Sequence, residues 1–306
     1  MKELKTRKRE EQNGKCALSG VYLPEETWRF DADCIPEDDI QAVEPVAHMA
    51  KHGNLRVRTE FEEEMGSNIA ARCHLMRLVN RISNQLEACE RQTDKHLDEV
   101  IEFLQEDRKG VKRKLNQFDY RLKKQVKELA KTDKLVATAL CVPGTAEVTV
   151  AGLYYYIDLA KARHASSVWK YVGLDVPSWQ RYQKGKKGGG NRNLRTILYA
   201  WGDSQIRLAT LYSQIYYNTK HRYEHSSRLV WTHVKGKKGV HQKPWKDVAP
   251  SHRHGAAIRK MIKIFLAHYW MVGRRLHGFP TSSLWIEEHG EEHRIIPPHE
   301  MGWPCD

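Results

Sequence analysis

Leu75, Val79, Ile82, Leu86 and Cys89 follow one another at spacings of four and three. That period winds an apolar seam along a helix and is incompatible with the two-residue period of a strand. The seam weakens through Thr93, His96, Val100 and Phe103, meets the charged stretch Asp107–Lys114 with its Gly110, and resumes at Leu115, Phe118, Leu122, Val126 and Leu129. Residues 67–131 are therefore expected to form two long helices, or one bent at that stretch. Their seam is buried by pairing within the chain or with a second copy in a homodimer. Downstream, Lys134–Leu140 reads as a helix that stops at Val142-Pro143-Gly144, and a second apolar helix follows from Ala146 to Leu159. From His254 to Arg275 the residues Ile258, Met261, Ile262, Phe265, Leu266, Tyr269 and Val272 make a wide apolar stripe suited to a core. The fold class expected is mainly α: long coiled-coil-like helices, then a compact helical domain.

Charge divides the 306 residues more sharply than hydropathy does. Net charge is −5 over residues 1–66, +5 over 67–131, +18 over 132–277 and −5 over 278–306, giving +13 in all. An excess of +18 interleaved with Tyr and Trp suits a polyanion, because each Lys or Arg set against a phosphate releases condensed counterions. Double-stranded DNA is the partner expected first, and structured RNA the alternative. Four segments follow from these shifts: a small irregular module at 1–66, the long helices at 67–131, a helical DNA-binding domain at 132–279, and an acidic, Pro- and Gly-containing tail at 280–306. The apolar stretch Leu135–Val142 is far short of the roughly 18 residues of a membrane span, and the charged Met1–Glu11 is not followed by a signal-peptide core. Cys16, Cys34, Cys73, Cys89, Cys141 and Cys305 stand apart without a CxxC pair, as free thiols of a reducing compartment do. The expectation is a cytoplasmic, nucleoid-associated protein with no membrane contact.

Two loops carry the nucleic-acid chemistry. Gln183–Gly190 combines Lys184, Lys186 and Lys187 with glycines that let backbone approach a phosphate, and Asn191, Arg192 and Arg195 carry the polarity into a helix start. The segment lacks the Gly-Lys-Ser/Thr ending of a nucleotide-binding P-loop. Lys235, Lys237 and Lys238 sit in a second basic loop, followed by Lys243, Trp245 and Lys246. The turn at Gly144, between two helices, has the outline of a helix-hairpin-helix unit, in which a helix N-terminus meets a phosphate; Ala146 stands where the second glycine usually is.

These motifs have an order: Val142-Pro143-Gly144, Trp169–Leu174 (WKYVGL), a Lys/Gly loop, Gly190–Tyr199 (GNRNLRTILY) and Ala256–Arg275 (AAIRKMIKIFLAHYWMVGRR). Over about residues 132–280 this order resembles the C-terminal domain of the IS-one-ten type insertion-sequence transposases, related to the Piv DNA invertases. The resemblance implies DNA binding in transposition or recombination. It also implies an N-terminal RuvC-like domain whose acidic tetrad holds magnesium, and a nucleophilic serine in the C-terminal domain. Residues 1–66 carry no alternating strand and helix pattern of a RuvC sheet. The family's Ser-Gly pair is replaced by Val176-Pro177-Ser178-Trp179-Gln180, with Ser178 the sole serine nearby. The reading is therefore DNA recognition or synapsis within a mobile element, catalysis being lost or supplied by a separate RuvC-like chain. The alternatives are an active serine-type recombinase using Ser178 and an architectural RNA- or DNA-binding protein derived from a transposase. Magnesium enters only with such a partner, and no metal site is expected in this chain. His289-Gly290-Glu291-Glu292-His293 has the residue order of a zinc helix but carries Gly290 inside and Pro297-Pro298 beyond. Cys16 and Cys34 with His48 and His52 are too widely spaced to specify zinc, and His233, His241, His252 and His254 read as polar residues of the basic loop.

Overall fold

The computed structural model describes residues 58–92, 97–175, 189–233, 239–281 and 296–304, together with the strand backbones 29–31 and 41–43. The chain divides into two compact units, Met1–Glu63 and Glu64–Asp306. In the first, β1 (Arg29–Asp31) and β2 (Gln41–Val43) pair antiparallel, Arg29 opposite Val43.

The protein is mainly α-helical. Helix α1 (Glu60–Glu90) begins earlier than the apolar period suggests, because the acidic run Glu60–Glu64 is its first turn. Thr59 Oγ1 accepts from the Glu62 amide at 3.2 Å while Glu62 Oε2 accepts from the Thr59 amide at 3.0 Å, a reciprocal capping box, and the carboxylates oppose the positive end of the helix dipole. Helix α2 (Asp98–Leu129) runs unbroken through Gly110 and the stretch 107–114; the interruption expected there falls instead between Glu90 and Asp98. A lone helical glycine costs only about 1 kcal/mol, too little to break 32 residues. Asn68 Nδ2 donates to Gln125 Oε1 at 3.1 Å and Arg72 pairs with Asp119, so the two helices run antiparallel. Val79, Ile82 and Leu86 are buried within the single chain, which leaves those seam positions covered without a second copy.

Among the described residues, six further helices belong to the second unit: α3 (Lys134–Cys141), α4 (Glu147–Tyr156), α5 (Ala165–Val172), α6 (Arg192–Arg207), α7 (Leu211–His225) and α8 (Pro250–Leu276). Asp133 caps α3 by accepting from the Val136 amide at 2.9 Å. Helix α8 packs on α3, α5, α6 and α7, and buries Ile258, Met261, Ile262, Phe265, Leu266, Tyr269 and Trp270. Trp201 of α6 stacks on Phe265 at 4.0 Å between ring centroids. Strands β3 (Leu229–His233) and β4 (Val240–Pro244) form an antiparallel hairpin between α7 and α8, where the sequence reading saw only a basic loop.

The segment expected as an acidic tail ends in the core. Residues 296–304 include the short 3-10 turn Pro298–Met301, and Met301 and Trp303 are buried. Trp303 Nε1 donates to Tyr212 Oη at 2.8 Å, and His268 Nε2 is 2.8 Å from the Ile296 carbonyl, an acceptor only. His268 therefore carries its proton on Nε2, and Nδ1 accepts from the Tyr212 hydroxyl at 2.6 Å. Burial pushes the imidazole down to about 4, against partial compensation by the Ile296 carbonyl. No described helix is long and apolar enough to cross a membrane.

Two predictions follow from this packing. A Cβ on Gly66 would lie 2.2 Å from the Tyr155 ring, whereas one on Gly110 meets nothing within 4 Å. Gly66→Ala should lower stability by roughly 1–3 kcal/mol in urea titrations, and Gly110→Ala should raise it by roughly 0.5–1 kcal/mol. The second concerns pH. His268 has its folded-state pKa lowered, so the native state binds fewer protons than the unfolded state between about 6.5 and about 4. Its contribution is complete above 6.5 and declines as pH falls. By pH 5 the loss is on the order of 2 kcal/mol. His268→Gln should remove that part of the pH dependence between pH 7.5 and 5; an unchanged dependence would contradict a buried neutral imidazole.

Candidate nucleic-acid interface

The motif WKYVGL builds one side of the site. In α5, Val168 and Val172 are buried, and Trp169 Nε1 donates to the Lys263 carbonyl of α8 at 2.8 Å. This pins the helix so that Lys170 and Tyr171 face outward, both exposed. Gly173 ends α5 at φ +77°, with the Gly173 amide bonded to the Lys170 carbonyl and the Leu174 amide to that of Trp169, a Schellman closure.

The motif GNRNLRTILY builds the other side. Asn191 caps α6 by accepting from the Leu194 amide at 2.9 Å, its own amide donates to the Tyr171 carbonyl at 2.7 Å, and its Nδ2 donates to Tyr171 Oη at 3.0 Å. Gly190 has φ +92°, and a Cβ there would stand 2.4 Å from the Gly173 nitrogen; one on Gly173 would stand 2.4 Å from the Gly189 carbonyl oxygen. Two glycines, Gly173 and Gly190, thus let the end of α5 touch the start of α6. A shallow depression of about 630 Å³, lined by Ser167, Lys170, Tyr171, Gly190 and Asn191, opens over the contact.

The charge at this junction is one-signed. Lys170 and Arg192 are exposed and Arg195 is half-buried with Nη1 against Gly173; none of the three makes an ion pair among the described residues. Asp175, the acid that follows α5, is taken by Lys263 at 3.0 Å. The first-turn amides of Arg192 and Asn193 lie beyond reach of helical carbonyl acceptors, and the helix dipole adds to the cations. Asn193 is braced from below: its Nδ2 donates to Tyr156 Oη at 3.1 Å, and Arg77 of α1 donates to its Oδ1 at 3.0 Å. Arg77 lies in the stretch read as a coiled seam, and nothing in its spacing marks it as a support of α6. Lys170 and Tyr171 belong to the WKYVGL motif, whose spacing alone does not show that these two side chains face outward.

Of the residues singled out from sequence, Asn191, Arg192 and Arg195 come together here. Lys184, Lys186, Lys187 and Ser178, and likewise Lys235, Lys237 and Lys238, lie outside the described residues, as do Cys16, Cys34, His48, His52 and the His289–His293 stretch. Asp175 and Gly189, the described residues on either side of that Lys/Gly segment in the sequence, both lie at this junction.

Gly144 lies in a turn packed on α6. The Pro143 carbonyl accepts from Gln205 Nε2 at 3.2 Å, Thr145 Oγ1 accepts from Trp201 Nε1 at 3.0 Å, and a Cβ on Gly144 would lie 2.6 Å from Gln205. Its positive φ of +73° and this crowding require glycine for packing on α6. In addition Glu147, in the first turn of α4, sits 3.6 Å from Lys123. These contacts give the turn, expected as a helix-hairpin-helix unit, a packing role on α6.

Two histidines read as loop residues belong instead to α8. His252 Nδ1 is 3.3 Å from Thr232 Oγ1, and His254 Nδ1 is 2.8 Å from Tyr216 Oη. The Tyr216 phenol is pushed up by burial and then by Tyr217, Glu224 and Asp203, which keeps it protonated and a poor nucleophile. No group of three or more His, Cys, Asp or Glu suited to a metal stands among the described residues. Comparison with known proteins matches no family model and no curated protein.

The glycine contact can be tested directly. Asn191→Ala removes one cap and should cost about 1 kcal/mol. Gly190→Ala forces backbone apart and should cost more than that in thermal unfolding; a smaller loss would mean that α5 and α6 do not touch here.

Proposed function

We propose that the chain binds DNA through the α5–α6 junction, as a transposase-type protein of a mobile element. Its role is to recognise or hold together DNA ends, with strand chemistry lost or carried by a second, RuvC-like chain that brings its own magnesium. The observation that carries the reading is the convergence of Lys170, Arg192 and Arg195, without carboxylate partners, on the N-terminus of α6. Backbone amides, a helix dipole and cations aimed at one point bind a phosphate oxygen and fix register on a duplex without reading its bases. Between Asp175 and Gly189 the sequence adds Lys184, Lys186 and Lys187 to the cationic residues of this part of the chain. The resemblance of residues 132–280 to the transposase C-terminal domain supports the same reading, since GNRNLRTILY is the segment that opens α6.

A charge-matched comparison tests it. Lys170, Arg192 and Arg195 are replaced together by Gln, and in a control Lys112, Lys114 and Lys124, all exposed on α2, are replaced likewise. Binding to a duplex of 20–30 base pairs is measured over a salt series. The junction variant should lose at least tenfold in affinity, and its log K against log salt slope should fall by about 2.7 units for three lost contacts. Equal losses in the two variants would reduce the protein to a diffuse polycation and overturn the junction as the docking element.

A further inference from the structure

Helix α7 ends on two histidines one turn apart, His221 and His225. Both side chains are exposed, and their rings approach to 4.4 Å between centroids with 42° between the planes. Residues four apart on a helix share a face, so both rings reach the same patch of surface. His225 Nδ1 lies 2.9 Å from the His221 carbonyl oxygen. A carbonyl only accepts, so Nδ1 carries the proton and Nε2 keeps its lone pair. The signal in the sequence is two histidines separated by three residues within a helical stretch.

Spacing, tautomer and position all suit a metal chelate. Two imidazoles at i and i+4 present their nitrogens on one helix face, the arrangement by which a helix supplies two ligands to zinc. Imidazoles bound side by side at metal–nitrogen distances of about 2.1 Å hold their ring centroids about 4.5–5 Å apart, close to the 4.4 Å of this pair. Histidine ligands donate their second ring N–H to a carbonyl or carboxylate, and the bond from His225 to the His221 carbonyl does this, fixing the tautomer before an ion arrives. Because α7 ends at His225, the pair stands at the negative pole of the helix dipole, which favours a cation. Among the neighbouring charges, Arg222 places its guanidinium over the Tyr223 ring at 5.8 Å, and Glu224 supplies a carboxylate in the same turn.

We propose that His221 and His225 form a two-histidine chelate for a divalent transition-metal ion that favours imidazole nitrogen: Zn²⁺, Ni²⁺ or Cu²⁺. Nitrogen donors select against Mg²⁺ and Ca²⁺, which take oxygen ligands. Among the described residues no third His, Cys, Asp or Glu completes a closed site, so the ion keeps water at its other positions. Both ligands come from one helix, and the ion therefore clips the last turn of α7 to the turn before it. That turn carries Tyr223, whose ring stacks on Trp245 at 4.0 Å. The inference is independent of the α5–α6 junction and of nucleic-acid binding.

The test titrates Ni²⁺ calorimetrically into the full chain as wild type, His221→Ala, His225→Ala and His277→Ala. The last is the control, an exposed histidine with no other histidine four residues away. His221→Ala and His225→Ala should each lose the same single equivalent of Ni²⁺, or bind it at least about tenfold more weakly, because one remaining ligand forfeits the effective concentration of the second. His277→Ala should keep that equivalent at wild-type affinity. Cu²⁺ should compete for it and bind more tightly than Ni²⁺, whereas Mg²⁺ should leave it in place. Hydrogen exchange over residues 218–226 should slow on adding Ni²⁺ to the wild type and stay unchanged in the two chelate variants. Ni²⁺ binding that survives both substitutions, or that falls equally in His277→Ala, overturns the chelate. So does loss in only one of the two variants, which marks a single-histidine contact, or displacement of Ni²⁺ by an equal concentration of Mg²⁺.

Discussion

Helix α8 buries fourteen of its residues, among them Ile258, Met261, Phe265, Leu266, Tyr269 and Trp270, and no single partner can cover so much of its circumference. The chain meets this demand by wrapping α3, α5, α6 and α7 around it and by returning residues 296–304 to lay Met301 and Trp303 into the same core. Each surrounding helix spends its apolar face inward, so its remaining residues point to water. Because residues 132–277 contain 25 Lys and Arg against 7 Asp and Glu, that outer layer is cationic almost by arithmetic. One buried cation is an exception. Arg274 is 5% exposed, and its charge is met by the carbonyls of Leu159, Ala162 and Pro280 in place of a carboxylate, which ties the loop after α4 and the turn after α8 to the core.

Within that cationic layer the α5–α6 junction is distinguished by its construction. Lone surface lysines are set by long, mobile side chains; here Lys170, Arg192 and Arg195 are positioned by helix ends locked through Trp169, Gly173, Gly190 and Asn191. Arg77 and Tyr156 brace Asn193 from α1 and α4, so three separate parts of the second unit meet beneath one helix terminus. On the proposed reading, a backbone fixed in this way leaves less ordering entropy to oppose binding.

The helical elements were readable because burial leaves a 3.6-residue period: Leu135, Val136 and Ala139 in α3, or Ile258 through Val272 in α8, lie close to where the pattern places them. Features set by a single interaction were less legible. The start of α1 depends on a capping box, Thr59 with Glu62, hidden inside an acidic run that reads as irregular. The β3–β4 hairpin was missed because Lys243 and the lysines of its connecting segment mask the alternation of Leu229, Val230, Trp231 and Thr232. Met301 and Trp303 sit in an acidic, proline-containing stretch, and composition alone gives no sign that Tyr212 and His268 await them. At the candidate site, Asn191, Arg192 and Arg195 were legible as a polar helix start. Lys170 and Tyr171 were not, since the approach of α5 to α6 depends on Gly173 and Gly190 meeting across 17 residues.

Hydrogen exchange of the full chain, with and without duplex DNA, measures the central claim at the backbone itself. The account predicts slowed exchange in peptides covering 165–175 and 189–197, centred on the amides of Arg192 and Asn193, with α2 unchanged. Protection confined to other segments, or none at saturating duplex, would contradict an interface built on the start of α6.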